Sequence, residues 1–355
     1  MTTDHSPTHP ALYWQDLPHG RIECQVCPNA CRLKEDARGR CFGRARREGR
    51  MILTTYGHTR GLCIDPIEKK PLYHFMPGSP ILSFGTAGCN LACKFCQNWD
   101  LSTAIGLDAA TERAQPEQLA QTAQKYNCNS VAFTYNEPIT FIEYAIDTAK
   151  FCLERNIRTV AVTNGYVWKE ARRDFFKYIS AANIDLKSFS ENFYREFCAG
   201  HLEPVLDTLK YLKQETEVWL ELTTLLIPGL NDSLEEIEAM SEWILKNLSP
   251  EVPLHFSAFH PAHQMPNTPP TPAETVKAAR RVALKTGLKH VYTGNILDPE
   301  GASTYCGACG KLVIERQGYK LSKYSLDPEG RCLFCGSKCP GIFDRPCGTW
   351  GDSSN

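Results

Sequence analysis

Apolar and polar positions follow three different patterns along the chain, and the pattern changes near residues 81 and 299. In the middle section, short apolar runs alternate with longer segments of helical periodicity. The runs predict strands at Ile81–Thr86, Ser130–Tyr135, Thr159–Thr163, Asn183–Lys187, Val218–Thr224 and Leu254–Phe259, with a further candidate at Lys289–Tyr292. The segments between them predict helices over residues 116–126, 139–155, 168–180, 203–214, 233–247 and 272–287.

Alternation of strands and helices is typical of parallel strands joined by right-handed crossovers. Repeated about six times, this unit can curl into a partial (β/α)6 barrel of the TIM type. The sequence therefore predicts an α/β fold in three parts. Residues 1–80 form a cysteine-rich N-terminal extension with an entrance loop, residues 81–298 the partial barrel, and residues 299–355 a cysteine-rich segment resembling a zinc ribbon.

The stretch from Asp65 to Phe75 connects the extension to the barrel. It mixes charged and aromatic residues with two prolines, which predicts neither a regular helix nor a regular strand. Two interpretations stay open: the stretch lines the entrance to a site, or it is an ordinary surface loop.

Cysteine content changes this picture more than charge does. The 355 residues carry a net charge of −1, which gives no global indication of nucleic acid or of an anionic membrane. Residues Met1 to Pro10 are polar and show no export signal, and no apolar stretch approaches the roughly 20 residues that span a bilayer. Most of the 17 cysteines fall in C-x2-C or C-x3-C groups. This pattern favours metal binding in a reducing cytoplasm.

One loop carries the most specific pattern, with cysteines at positions 89, 93 and 96 and Phe95 just before the last. Three thiolates on one loop suit an iron–sulfur cluster. Because a 4Fe–4S cluster usually takes four cysteines, three would leave one iron with an open position, as in catalytic metal sites. The alternatives are a zinc knuckle or three buried thiols. The spacing C-x3-C-x2-C resembles that of the radical S-adenosylmethionine (SAM) superfamily.

Polar side chains follow the predicted strands at their carboxyl ends, where barrels of this type place functional groups. Glu137 precedes a proline after the second strand, and Asn164 and Gly165 follow the third. Asp185 and Lys187 share one face of the fourth strand, opposite Ile184 and Leu186. The two charged residues either face a site or satisfy each other.

Two further cysteine sets flank the barrel. The first is Cys24, Cys27, Cys31 and Cys41, and the second is Cys306, Cys309, Cys332 and Cys335. The second set, two C-x2-C pairs about twenty residues apart, predicts a zinc ribbon. The first set predicts a metal site that holds either zinc or a second iron–sulfur cluster. The basic segment from Arg38 to Arg50 is either a solvated rim or a docking patch for an acidic partner or RNA.

Taken together, several motifs resemble a known family. The cluster loop, Tyr135–Pro138, Thr163–Gly165, Asp185–Lys187 and Ile227–Asp232 resemble the glycyl-radical-enzyme activases, such as the pyruvate formate-lyase activating enzyme. The N-terminal cysteines, the stretch DPIEKKPLYHF, the run CQNWDLS and the terminal ribbon resemble the AmmeMemoRadiSam family of radical SAM proteins. Where the activases usually have Cys-x-Asn-Pro, this chain has Cys96-Gln97-Asn98-Trp99.

The resemblance implies one 4Fe–4S cluster on Cys89, Cys93 and Cys96, with SAM on the fourth iron. It implies that Glu137 binds the SAM amino group, that Asn164 and Gly165 face the methionyl or ribose side, and that Asp185 and Lys187 contact SAM or substrate. The implied activity is reductive cleavage of SAM to a 5′-deoxyadenosyl radical, which abstracts hydrogen from a substrate protein or small molecule. The implied partners are an electron donor such as flavodoxin or ferredoxin, and Ammecr-type and Memo-type proteins.

Two other classes of protein are compatible with parts of the sequence. One is an electron-transfer iron–sulfur protein, although carriers usually have four ligands for each cluster. The other is a non-catalytic iron–sulfur and zinc-ribbon module that binds RNA or a partner protein.

Overall fold

A computed structural model describes residues 9–105 and 111–350. The ends of the predicted N-terminal and C-terminal segments, residues 1–8 and 351–355, lie outside this range. The strands are β1 His9–Pro10, β2 Trp14–Leu17, β3 Arg21–Cys24, β4 Arg32–Leu33, β5 Arg44–Arg47, β6 Arg50–Leu53, β7 His58–Pro66, β8 Pro80–Gly85, β9 Glu112–Arg113, β10 Ser130–Phe133, β11 Arg158–Thr163, β12 Ala181–Asp185, β13 Trp219–Leu226, β14 Leu254–Ala258, β15 Val291–Gly294, β16 Thr304–Tyr305, β17 Leu312–Gln317 and β18 Lys320–Tyr324.

The helices are α1 Trp99–Ser102, α2 Pro116–Lys125, α3 Ile142–Glu154, α4 Lys169–Phe176, α5 Glu191–Phe193, α6 Glu203–Glu215, α7 Leu234–Asn247, α8 Ala273–Thr286 and α9 Pro299–Ala302. Short 3-10 helices occupy Ile67–Lys69 and Pro138–Phe141, and a π-helix occupies Tyr194–Cys198. None of the described helices is long and apolar enough to cross a membrane.

A nine-stranded sheet organises the molecule in the order β15-β14-β13-β12-β11-β10-β8-β7-β9. The seven strands from β8 to β15 in this order are parallel, with registers such as Val131 opposite Leu82. All seven correspond to predicted strands, so the predicted α/β fold with a parallel sheet is confirmed.

The helices between these strands begin and end where the sequence predicted them, to within a few residues. Helix α7 shows why: the Ser233 hydroxyl accepts a hydrogen bond from the Glu236 amide at 3.2 Å and so caps the helix start. Helix α8 buries Val276, Ala279 and Ala283, which recur at helical spacing and face the sheet.

The region before the cluster loop is more regular than its sequence suggests. Strand β7 runs antiparallel to β8 and includes Asp65 and Pro66, which the sequence predicted as irregular. Proline is tolerated at the end of a strand because its missing N–H interrupts no further ladder. Only one 3-10 turn, Ile67–Lys69, follows before the chain becomes irregular.

Small antiparallel sheets lie on both sides of the parallel sheet. The N-terminal region contains β2-β3-β4 and β1-β6-β5, and the C-terminal region contains β16-β17-β18. In each region one buried arginine is among the residues that contact the rest of the fold. Arg44 forms a bidentate ion pair with Glu143 of α3 at 2.8 and 3.0 Å, and Arg316 donates to the Tyr73 carbonyl at 2.8 Å.

Candidate active site

The carboxyl ends of the parallel strands open onto one cavity of about 950 Å³. Its walls come from the cluster loop, from the ends of β10 to β15, from the segment after β7 and from the turn between β17 and β18. The predicted site residues that line it are Cys89, Cys93, Cys96, Glu137, Asn164, Asp185 and Lys187. The strand topology therefore gathers side chains that are separated by almost a hundred residues in sequence.

Of the residues predicted to bind SAM or substrate, Gly165 does not line the cavity. Its φ is +66°, a left-handed conformation that glycine adopts readily. A Cβ placed there would lie 3.1 Å from Ile184 Cγ2 and 3.5 Å from Val205 Cγ1. The glycine therefore allows the loop after β11 to pack closely on its neighbours.

The cluster loop is held by backbone contacts on both sides. The Ala92 amide donates to the Cys198 carbonyl at 2.9 Å, and the Lys94 amide donates to the Phe197 carbonyl at 2.8 Å. At Gly88, φ is +93°, and a Cβ would lie only 1.8 Å from the Cys41 carbonyl oxygen. Only glycine fits there, so the loop is pressed against the N-terminal region.

The three loop sulfurs stand apart from one another. Among the described residues, the only group of three or more ligand atoms that all lie within 4.8 Å of one another is at the C-terminal cysteines. Cys89, Cys93 and Cys96 are thus too widely spaced for one ion. They suit a cluster in which each thiolate binds a different iron.

Glu137 is buried at the end of β10, and its carboxylate accepts three hydrogen bonds. The donors are the Thr163 hydroxyl at 2.6 Å, the Asn164 amide at 2.8 Å and the Ile139 amide at 3.1 Å. Burial raises the pKa of Glu137 to about 7, although these hydrogen bonds oppose the shift. The carboxylate therefore joins the ends of β10 and β11 and presents acceptor capacity to a cation in the cavity.

Asn164 connects the end of β11 to the cluster loop. Its amide donates to Asn90 Oδ1 at 2.8 Å, and Asn90 donates in turn to the Tyr166 carbonyl at 2.8 Å. Asn164 Nδ2 also lies 4.0 Å from Cys89 Sγ. The sequence analysis missed Asn90, which lies between two of the ligands in the chain and is fully buried.

Asp185 and Lys187 meet each other at the cavity wall, with Lys187 Nζ 2.7 Å from Asp185 Oδ2. Burial opposes the charge of the lysine, but the Asp185 carboxylate more than offsets this and raises the pKa of Lys187 well above its usual range. Lys187 therefore stays protonated beside the cluster loop. Both predicted interpretations are compatible with this geometry.

Two polar groups at or beside the cavity were not predicted as site residues. Glu221 accepts from the amides of Tyr73 and His74 at 3.0 and 2.8 Å, and contacts His255 Nε2 at 2.7 Å. His255 lines the cavity. Nothing in the sequence indicated which segment would pack against Glu221.

The second unpredicted group comes from the segment after β7. Lys70 Nζ lies 2.7 Å from Asp65 Oδ2, and the Tyr135 hydroxyl donates to the same oxygen at 3.0 Å. Lys70 and Tyr135 both line the cavity. This supports the interpretation that the segment borders a site. Tyr135 has a φ of +70°, an uncommon conformation for a bulky residue.

The four C-terminal cysteines form a compact group. The sulfurs of Cys306 and Cys335 lie 3.7 Å apart, and those of Cys309 and Cys332 lie 3.8 Å apart. A tetrahedral ion with metal–sulfur bonds of about 2.3 Å would hold its sulfurs about 3.8 Å apart. This group could therefore hold one metal ion.

The four N-terminal cysteines also come together, but differently. Cys24, Cys27, Cys31 and Cys41 line one small internal cavity, which Arg44 and Asn90 also border. No three of these sulfurs lie within 4.8 Å of one another.

Comparison with known proteins places the cluster loop and most of the parallel sheet in one family. Residues 84–244 match the model of the radical SAM superfamily. The chain belongs to the radical SAM superfamily. Over 306 residues it is 39% identical to an uncharacterised protein of Methanocaldococcus jannaschii, which covers 86% of this chain and 91% of that protein.

More distant relatives in the superfamily have assigned activities. A pyruvate formate-lyase-activating enzyme of Clostridium pasteurianum is 26% identical over 164 residues, which is 45% of this chain and 67% of that enzyme. Among solved structures, a radical SAM methyltransferase from Sphaerobacter thermophilus gives a TM-score of 0.49 at 15% identity, covering 67% of this chain and 71% of that one. A domain of the pyruvate-formate lyase-activating enzyme from Bacteroides vulgatus gives 0.40 at 23% identity, covering 47% and 99%.

Proposed function

We propose that this radical SAM protein cleaves SAM reductively at a 4Fe–4S cluster held by Cys89, Cys93 and Cys96, and that it abstracts hydrogen from a substrate in the same cavity. One observation carries the proposal. Three cysteines whose sulfurs are too far apart for one ion share a cavity of about 950 Å³ with Glu137, Asn164, Asp185 and Lys187. A cavity of this size lies within the range of small-molecule sites.

When bound, the cluster and SAM supply the electron and the 5′-deoxyadenosyl radical, which is chemistry that side chains cannot perform. The residues of the chain bind and orient. Glu137 offers a buried carboxylate to the SAM ammonium, and this cation would hold the carboxylate ionised despite its burial. Asn164 fixes the loop beside Cys89, while Asp185 and Lys187 provide one acceptor and one donor for SAM or substrate.

We further propose that the protein belongs to the AmmeMemoRadiSam family and that its sheet forms a partial (β/α)6 barrel. We also propose that the C-terminal cysteines bind zinc and that the protein is cytoplasmic. The cavity is consistent with a barrel, because the strands from β10 to β15 and the segment after β7 all line it. An electron donor such as flavodoxin or ferredoxin, and Ammecr-type and Memo-type partners, belong to the same proposal.

The substrate is expected to differ from that of the glycyl-radical activases. Trp99 replaces their usual proline after the cluster motif, and here it opens helix α1 and stacks on His263, with ring centroids 5.7 Å apart. Its side chain remains about half exposed. An aromatic surface at this position would contact a different partner or substrate.

The test is anaerobic SAM cleavage. After reconstitution with iron and sulfide, the wild type with SAM and dithionite should form 5′-deoxyadenosine, detected by mass spectrometry, and Cys93→Ala should form none. Glu137→Ala should retain a normal iron content but bind SAM more weakly in equilibrium dialysis. A wild type with a full cluster that neither binds nor cleaves SAM would contradict the proposal and favour a non-catalytic binding module for RNA or a protein.

A further inference from the structure

The N-terminal cysteines lie beside the cluster loop, because Asn90, the residue after Cys89, borders the small cavity that they line. We propose that Cys24, Cys27, Cys31 and Cys41 hold a second iron–sulfur cluster rather than a zinc ion, and that this cluster passes electrons to the cluster on Cys89, Cys93 and Cys96. The relay rests on the proposed function. The identity of the metal centre does not.

The distances between sulfurs distinguish a cluster from a single ion. A mononuclear site draws its thiolates onto one centre, which holds them about 3.8 Å apart for zinc. The C-terminal sulfurs have this spacing, at 3.7 and 3.8 Å. No three N-terminal sulfurs lie within even 4.8 Å of one another, which is also true of the three cluster-loop sulfurs. By this measure the N-terminal set resembles the cluster loop.

The N-terminal sulfurs nevertheless face a common space. All four cysteines line one small internal cavity. A Cβ placed on Gly39 would lie 3.8 Å from the sulfurs of both Cys31 and Cys41. Four thiols arranged around a space, without touching as a group, are what a cluster with a separate iron for each thiolate requires.

The surroundings suit an anionic cluster. Cys24 and Cys41 are buried, and the fully buried guanidinium of Arg44 borders the same cavity. The Arg40 amide donates to Cys31 Sγ at 3.4 Å. Positive charge and hydrogen bonds to sulfur are among the features that set the potential of an iron–sulfur cluster.

The two cysteine sets lie on segments that contact each other. The Cys41 carbonyl presses on Gly88, the residue before Cys89. The Asn29 side chain donates to the Asn90 carbonyl at 2.6 Å, and Asn90 follows Cys89 in the chain. Electron tunnelling weakens steeply with distance, so centres in such close contact exchange electrons readily.

In the relay, a low-potential donor protein of the flavodoxin or ferredoxin class gives one electron to the N-terminal cluster. The N-terminal cluster would be reduced by one electron and would return to its oxidised state on passing that electron to the cluster on Cys89, Cys93 and Cys96. The cluster on the loop would then supply the electron to SAM. No proton or group moves in the relay itself.

The metal content of a triple variant tests the cluster without requiring activity. Cys89→Ala/Cys93→Ala/Cys96→Ala, reconstituted anaerobically, should retain about four irons and four sulfides, together with one zinc, and should give an electron paramagnetic resonance signal on reduction. Absence of iron and sulfide with nearly two zinc ions per chain would overturn the proposal. Adding Cys27→Ala to this background should remove the remaining iron, whereas Cys128→Ala, at an isolated cysteine, should not.

The relay is tested by changing the electron donor. In Cys27→Ala alone, 5′-deoxyadenosine formation should fall less with dithionite than with a protein donor, because a small reductant also reaches the loop cluster directly. With a reduced flavodoxin the rate should fall about tenfold or more, which is a barrier increase of about 1.4 kcal/mol. An equal fall with both donors, or no fall with either, would overturn the relay. A wild type inactive with both donors would instead refute the proposed function, and the metal analysis would still decide the cluster.

Discussion

The two cysteine-rich regions that flank the parallel sheet begin from similar motifs and reach different geometries. Each region contains a set of four cysteines that includes at least one C-x2-C pair. At the C-terminal region the sulfurs touch, at 3.7 and 3.8 Å, whereas no three of the N-terminal sulfurs approach within 4.8 Å of one another. Similar motifs are therefore compatible with different spacings of the sulfurs. The packing of the surrounding loops sets that spacing.

The regions also differ in how they are attached to the sheet. Arg44 in the N-terminal region forms a bidentate ion pair with Glu143 at 2.8 and 3.0 Å. Arg316 in the C-terminal region lies 3.7 Å from Glu68 and relies on other contacts, including a position 4.2 Å over the Tyr73 ring. The contact of Arg44 with the sheet region is thus mainly ionic, and that of Arg316 is spread over hydrogen bonds and an aromatic face.

The largest expected effect separates the two metal sites. Cys332→Ala should reduce the zinc content from one ion per chain to nearly none, because the site loses one of its four thiolate ligands. Binding of structural zinc supplies about 10–16 kcal/mol in small zinc domains, so losing it is a large effect. Iron content should not change, because none of these C-terminal cysteines lines either of the cavities that hold the other two cysteine sets. Inductively coupled plasma mass spectrometry of the purified variant measures both metals. Loss of iron together with zinc would show that the sites are not independent.

A smaller effect is expected from the attachment of the N-terminal region. Glu143→Gln leaves the buried Arg44 charge without its partner, so the free energy of unfolding should fall by about 3–5 kcal/mol. Glu68→Gln should cost less, about 1–3 kcal/mol, because Arg316 keeps its hydrogen bonds to Tyr73 and Thr304. Denaturant unfolding measures both.

The matched control for these variants is Glu154→Gln, at an exposed ion pair with Arg155 of 3.7 Å. It should change stability by less than about 1 kcal/mol. Equal losses for Glu143→Gln and Glu68→Gln would remove the distinction between the two attachments.

The sequence predicted the parallel sheet well because strand and helix periods are local properties. Each predicted strand from Ile81 onward has a counterpart, and carboxyl ends of parallel strands necessarily share one edge. That rule alone was enough to bring Glu137, Asn164 and Asp185 into the cavity with the three cysteines.

What the sequence could not predict depends on packing between distant segments. The contact of Glu221 with Tyr73 and His74 joins residues almost 150 positions apart, and no local pattern encodes it. Strand β7 was missed because its charged residues and Pro66 contradict local strand preferences, while pairing with β8 overrides them. The spacing of the N-terminal sulfurs likewise follows from the fold.

The smallest expected effect concerns acid and the C-terminal attachment. Glu221 accepts from the Tyr73 and His74 amides, and His74 Nδ1 in turn contacts the Pro340 carbonyl at 2.6 Å. Burial alone would raise the pKa of Glu221, but the hydrogen bond and charge of His255 outweigh it and lower the pKa to about 2. A carboxylate with a depressed pKa stabilises the fold fully above its unfolded value of about 4.5, and this stabilisation is lost as the pH falls toward 2.

Glu221→Gln should therefore lower stability at pH 7 by about 2 kcal/mol, and the difference from wild type should shrink steadily between about pH 5 and pH 2. Protonation of the cysteines affects the wild type and the variant alike, so the difference between their unfolding midpoints reports the contribution of the Glu221 carboxylate. Limited proteolysis over the same pH range should release the C-terminal region of the variant already at pH 7, and that of the wild type only in acid. A difference in midpoint that stays constant with pH would mean that the charge of Glu221 does not contribute to stability. Its hydrogen bonds to the Tyr73 and His74 amides would then act independently of ionisation.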